Sequence, residues 1–224
     1  MKTTSYKYDL ETYNFTKIIA DYLGTDDLSE LSAAADGDEQ TAQNSLYKNM
    51  EQTPAYRRLY DCLHGAQGAT FYDTYERFIR EVIRPQYDEP IYYQKKPTNR
   101  ILYRDTPGVS RFHRDRDYGH STDEINYFLP QTRAFATNTV WIESEEGKED
   151  FSPMELTPGQ FMRFNGASLL HGAKVNETGK TRVSFDFRVI PGSKEVANFV
   201  DISDWAEEDR QPHQLNPHHF MLCQ

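Results

Sequence analysis

The sequence predicts a mainly β chain with packed N-terminal helices, in the form of a jelly roll or sandwich, and three observations carry that expectation. Six short runs rich in aromatic and β-branched residues lie between residues 90 and 190, divided by Pro, Gly, Asn and Asp turns and not by helical patterns. Before residue 89 the apolar spacing is helical instead. A chain of 224 residues suits one domain and is long enough to bury a substantial core.

The elements follow in order. In "TKIIADYLG", Ile18, Ile19, Tyr22 and Leu23 share a helical face and Gly24 is placed to cap the C-terminus. In "TPAYRRLYDCLHG", Thr53 is an N-cap candidate and Pro54 a first-turn residue. Tyr56, Leu59, Tyr60 and Leu63 form the stripe there, and Gly65 the end. A third helix, "TFYDTYERFIREVIRP", aligns Phe71, Tyr75, Phe78, Ile79 and Val82 before Pro85 stops it, and these aromatics read as core. The strands are "PIYYQ", "RILYR", "EINYFL", "NTVWIES", "QFMRFN" and "TRVSFDFRVI". The acidic connector "ESEEGKEDFSP" reads as a solvated loop between two of them. The expected layout is therefore a single domain with a helical region at 1–88, a β core at 89–192 and a tail at 193–224 that has few strand signals.

Composition narrows the partners. Lys and Arg total 25 against 35 Asp and Glu, a net charge of −10, which argues against a nucleic-acid backbone or an anionic membrane and for a neutral or cationic small molecule. Cys62 and Cys223 have no CxxC or zinc spacing, and "MKTTSYKYDLETYNF" lacks the apolar core of a signal peptide. With no apolar run near the ~18 residues of a membrane span, a reduced, cytoplasmic protein without disulfides is expected. Its oligomeric state is left open.

Chemistry concentrates in "RFHRDRDYGH", residues 111 to 120. On a strand, His113 and Asp115 point to one face, and Asp117 joins them if the strand continues, so spacing alone does not choose between the two aspartates. His64 ends a helix, and His213, His218 and His219 lie in the tail; His171 stands at a strand end about four strands after His113. A jelly roll can return the chain to its starting point over that distance. His113, Asp115 and His171 then make a two-histidine, one-carboxylate face, which suits a mid-series divalent metal, above all iron(II), and leaves the opposite face open. Beyond it Arg182, Ser184 and Asp186 share a strand face, where an arginine holds a carboxylate through two parallel hydrogen bonds and Ser184 adds a donor.

This pattern resembles the iron(II)/2-oxoglutarate-dependent oxygenases and their HxD…H…R signature, here His113-Arg114-Asp115, His171 and Arg182-Val183-Ser184. More narrowly, "EINYFLPQT", "TNTVWIES", "FNG", "LLHG" and "TGKTRVSFDFRV", within residues 98 to 191, are similar to the small StrG-like oxygenases of antibiotic biosynthesis. The resemblance implies a double-stranded β-helix (cupin-like) barrel. It implies iron(II), 2-oxoglutarate as co-substrate bound by Arg182 and Ser184, and dioxygen. Hydroxylation is the implied outcome, with desaturation or cyclisation as variants; Asp115 fills the position a halide would need for halogenation.

The neighbouring residues carry two readings each. Asp117 and His120 are substrate groups or loop charges paired with Arg116 or Arg111. Glu124, Asn126 and Phe128 alternate on one strand, and Thr139, Trp141 and Glu143 on another, making Asn126 and Trp141 the leading pocket residues unless they serve a turn and the core. Arg188 is expected at the barrel rim. Asp117, Glu124 and Glu143 near the mouth favour an amine-bearing substrate such as an aminocyclitol, amino sugar or amino acid. The rival classes are a cupin-like isomerase or dioxygenase without a co-substrate, which leaves Arg182 no task, and a non-catalytic ligand-binding jelly roll.

Overall fold

The structure, a computed structural model, describes residues 2–32, 53–106, 111–197 and 220–224. It begins with a strand, β1 (Thr4–Lys7), inside the region expected to be helical. Four residues are too few for a period to declare itself, and the strand is held by pairing: Thr4 to Lys7 run antiparallel to Arg163 to Gln160, and Tyr6 stacks on Phe161 at 5.2 Å.

Three helices follow. α1 (Phe15–Leu23) starts where the Asn14 side chain accepts the Lys17 N–H and ends at Gly24, whose φ of 65° suits glycine and lets its N–H reach the last carbonyls. α2 (Pro54–His64) begins with proline in its first turn, but Thr53 makes no side-chain cap; its hydroxyl accepts from Tyr103 instead. The residues α2 buries are Ala55, Leu59 and Leu63, not Tyr56 and Tyr60. α3 (Gly68–Phe78) runs into a π turn, Ile79–Ile83, and a 3-10 turn, Arg84–Gln86. The wider π turn moves the stripe by one residue, so Ile83 is buried where 3.6-residue spacing selects Val82.

All six expected strands are present: β2 (Ile91–Gln94), β3 (Thr98–Leu102), β4 (Ile125–Pro130), β5 (Val140–Ile142), β7 (Gln160–Phe164) and β9 (Arg182–Pro191). Short strands β6 (Ser152–Pro153), β8 (His171–Ala173) and β10 (Phe220–Cys223) join them. β10 lies in the tail where few strand signals were expected; the tail residues 198–219 fall outside the described residues. The larger sheet has the order β1-β7-β4-β9-β2-β10, with β3 pairing the first half of β9 on the edge opposite β4; the smaller is β6-β5-β8, and every pairing is antiparallel.

The long strand β9 divides the molecule. Val183, Phe185, Phe187 and Val189 point to the helices, where Phe185 meets Phe15, Phe71 and Tyr75 edge-on at 5.0 to 6.3 Å. Truncating such a ring costs ~3–5 kcal/mol. On the opposite side of the large sheet, Phe128 and Phe164 pack with Ile142, Met154, Leu156 and Leu169 in a second, smaller core. On that side β9 presents its polar residues Arg182, Ser184, Asp186 and Arg188, and β4 presents Asn126 beside Phe128. Among the described residues no helix is long and apolar enough to cross a membrane, and Cys62 and Cys223 are both free thiols.

Candidate metal centre

His113, Asp115 and His171 come together as the sequence predicts, by a different local structure. His113 pairs with His171 in an isolated antiparallel bridge, each N–H donating to the other's carbonyl at 2.9 and 3.0 Å. Asp115 does not continue a strand; it opens a 3-10 turn, Asp115–Tyr118. The turn settles which aspartate joins the histidines: Asp117 Oδ2 accepts the Arg114 N–H at 3.2 Å and serves the turn, while the Asp115 carboxylate is buried between the two rings.

Both imidazoles are fixed by their backbones. His113 Nδ1 lies 2.7 Å from the Arg111 carbonyl and His171 Nδ1 2.9 Å from the Leu169 carbonyl. A carbonyl only accepts, so each Nδ1 carries the proton and each Nε2 offers a lone pair. The two Nε2 atoms stand 3.4 and 3.5 Å from Asp115 Oδ1, and the three ligand atoms lie within 4.8 Å of one another. Those separations suit a single ion about 2 Å from each atom. Burial holds the His171 imidazole below its ordinary value, despite Asp115 beside it, and so keeps it in the neutral form a metal requires.

The other carboxylate oxygen is committed to the protein. Asp115 Oδ2 accepts from Asn126 Nδ2 at 2.7 Å and from Arg188 Nε and Nη2 at 3.2 and 3.0 Å. Burial opposes the charge, yet Arg188, His113, His171 and Asn126 together hold the carboxyl well below the usual range. Asn126 also accepts the Gly166 N–H, and Gly166 in turn accepts the Asp115 N–H. A Cβ at Gly166 would lie 2.7 to 2.8 Å from the Asn126 amide group, so this contact needs glycine. Arg188, expected at the rim, is instead a largely buried clamp whose second partner is the fully buried Glu124, 3.2 Å away. Glu124 also takes the Ser121 N–H and lies 2.9 Å from His120 Nδ1, which gives His120 a place in loop closure and not among the three ligands.

Two further expectations change. Ile142 pairs with His171 and Trp141 with Gly172, so alternation turns Trp141 to the face opposite the histidine. There its Nε1 donates to the Ala136 carbonyl and Lys174 Nζ sits 3.2 Å from the ring centre. Glu143 and Glu124 are buried in hydrogen bonds rather than free at a mouth, which removes them as attractors for a substrate amine.

The remaining part of the site is unpartnered. Arg182 and Ser184 are fully buried, and Arg182 Nε and Nη1 and Ser184 Oγ have no hydrogen-bond partner among the described residues. The guanidinium stands 5.4 Å from the centre of Phe128, two residues along β4 from Asn126. Burial and the nearby Arg100 push Arg182 down to about 10, since Asp186, which Arg100 already engages at 2.6 Å, compensates only in part. A buried cation lacking acceptors is costly unless an anion completes it, and a carboxylate ligand fits both donors.

An antiparallel β fold with a two-histidine, one-carboxylate centre and an anion-seeking arginine beside it defines a metal-dependent enzyme site with open coordination positions. No protein-family model matches the chain. Streptomycin biosynthesis protein StrG from Streptomyces griseus is 32% identical over 197 residues, covering 88% of this chain and 89% of StrG. The chain belongs to the StrG-like iron(II)/2-oxoglutarate-dependent oxygenases. Among solved structures, EctD from S. alaskensis with 2-oxoglutarate and 5-hydroxyectoine superposes with a TM-score of 0.50 at 14% identity, over 94% of this chain and 78% of EctD, a likeness of fold. AviO1 from Streptomyces viridochromogenes Tue57 is similar with a TM-score of 0.46 at 13% identity, over 86% and 90% of the two chains.

Proposed function

We propose that the protein hydroxylates, or oxidatively cyclises, a small polar metabolite, with His113, Asp115 and His171 holding iron(II) and Arg182 and Ser184 holding the distal carboxylate of 2-oxoglutarate. The observation that carries the reading is the buried pair of orphaned groups on β9, Arg182 and Ser184, on the strand face that also supplies the clamp on Asp115. A co-substrate-free cupin enzyme or a binding module gives those donors no acceptor. Two opposed antiparallel sheets with the ligands at their meeting edge support a double-stranded β-helix as the finer description of the fold.

When bound, iron(II) with 2-oxoglutarate and dioxygen supplies the oxidant that removes hydrogen from an unactivated C–H bond. The chain's own groups prepare that chemistry. His113 and His171 present neutral Nε2 lone pairs, and Asp115 presents Oδ1 while Arg188 and Asn126 occupy Oδ2. Arg182 orients the co-substrate by a planar two-point contact that lysine cannot reproduce, and Phe128 beside the guanidinium excludes water from the pair. The carboxylate of Asp115 fills the position a halide would need, which favours hydroxylation over halogenation.

For the substrate class, support comes from the net charge of −10 and from the role in streptomycin biosynthesis that StrG's name states. Both favour an aminocyclitol or amino sugar. The test is succinate release and product mass across a panel of cyclitols, amino sugars and amino acids, with iron(II) and 2-oxoglutarate supplied. Succinate formation coupled to one panel member is expected, with a mass gain of one oxygen for hydroxylation or a loss of two hydrogens for cyclisation; turnover without succinate would refute the reading.

A further inference from the structure

Glu143 lies at the end of β5, in a connector so acidic that the sequence reads it as solvated, yet its side chain is fully buried. Its Oε2 accepts the Gly147 and Glu149 N–H groups at 3.0 and 3.1 Å, which folds the connector around it. Its Oε1 accepts the Leu170 N–H at 2.7 Å and lies 3.4 Å from Arg114 Nη2. Leu170 immediately precedes His171, and Arg114 stands between His113 and Asp115. The Arg114 Nε donates to the Ser168 carbonyl at 2.9 Å, so the same guanidinium spans both segments. One buried carboxylate thus ties together the two stretches of chain that carry all three ligands.

We propose that Glu143 is a positioning residue for the metal centre, acting through Leu170 and Arg114 to fix the separation between the His113–Asp115 pair and His171. The inference rests on the assignment of those three residues as metal ligands. It also has a physical rationale. The backbone bridge between His113 and His171 is isolated, one pair long, and a single bridge of two hydrogen bonds is a weak constraint on a geometry that must hold to a fraction of an ångström. Glu143 adds a charge-assisted tie on each side of that bridge, and the side chain touches none of the three ligands directly.

The test uses cobalt(II) as the probe on the full chain under anaerobic conditions, reading both its affinity and its visible absorption, which reports coordination geometry. Replacing Glu143 by Gln keeps one acceptor and the shape but loses the charge, and Glu143→Ala removes the tie. By the usual size of outer-sphere effects, cobalt affinity should fall by about 10- to 100-fold in Glu143→Ala, and by less in Glu143→Gln. The absorption band should change shape in both. Arg114→Met should produce the same change, and adding it to Glu143→Gln should cause little further loss, because the two act as one unit. Thermal unfolding without metal, run alongside, separates folding from binding, and Glu143→Gln remains informative if Glu143→Ala does not fold. Wild-type affinity with an unaltered band in Glu143→Gln would overturn the proposal, even if its unfolding temperature fell. His171→Ala is the control on the underlying assignment: cobalt retained there would refute the ligand set itself, whatever Glu143 does.

Discussion

Arg182 and Arg188 lie six residues apart on the same face of the same strand, the first fully buried and the second largely so, but their surroundings are opposite. Arg188 donates to Asp115 and reaches Glu124, and these carboxylates hold its charge firmly in place despite burial. Arg182 has Phe128 beside its guanidinium and two nitrogens without acceptors. One end of β9 is therefore complete as folded, and the other, on the proposed function, is finished by the carboxylate of 2-oxoglutarate. Residue type and burial do not distinguish a structural arginine from a recognition arginine; the inventory of partners does.

Four experiments sharpen or break this contrast, from the largest expected effect to the smallest. Arg188→Met strands two buried carboxylates, so urea unfolding of the metal-free protein should show a loss of ~3–5 kcal/mol. Iron affinity should fall with it. Arg182→Met should leave the metal-free stability unchanged or raised, since an unpaired buried cation is removed, while 2-oxoglutarate affinity drops by ~2–5 kcal/mol. Equal destabilisation by the two substitutions would break the comparison, and Arg182→Lys should recover only part of the affinity. A third measurement is ligand-induced stabilisation: 2-oxoglutarate at a hundred times its dissociation constant, with iron(II) present, should add ~2.7 kcal/mol in the wild type and almost nothing in Arg182→Met. The smallest effect belongs to Asp117, whose carboxylate serves the 3-10 turn. Asp117→Asn should cost ~1 kcal/mol or less, by analogy with a helix cap, and keep its iron, whereas Asp115→Ala should lose iron and succinate formation together.

Much of this was legible in the sequence because alternation and helical spacing are local. The six principal strands, the three helices and the residues of the metal triad follow from runs and punctuation that a reader can count. The failures have physical causes. Strand geometry predicts the HxD pair but leaves both aspartates open; a 3-10 turn intervenes at Asp115 and excludes Asp117. Alternation alone leaves Trp141 a candidate for the pocket, but the strand register, which is non-local, turns it away from His171. Glu124 and Glu143 look like surface acids because burial of a carboxylate depends on donors distant in sequence, Arg188 for one and Leu170 for the other. Arg188 alone carried a usable signal. It repeats the period-two alternation of Arg182, Ser184 and Asp186, and a strand face that is polar four times in succession within an otherwise apolar run is a site face, not a rim.

The edges of the large sheet carry a further consequence. Its outermost members are β1 and β10, the first and last strands described, and Thr4 pairs with Arg163 while Cys223 pairs with Ile91. Contacts so distant in sequence make folding slow, and during synthesis β1 waits for most of the chain before its partner exists. Once made, β7, with Phe161 and Phe164, exposes an unpaired apolar edge until β1 docks on it across that long separation, and such an edge is a template for aggregation. The yield of soluble protein should therefore depend on the polar, easily ignored residues Thr4 to Lys7 more than their small share of the core suggests.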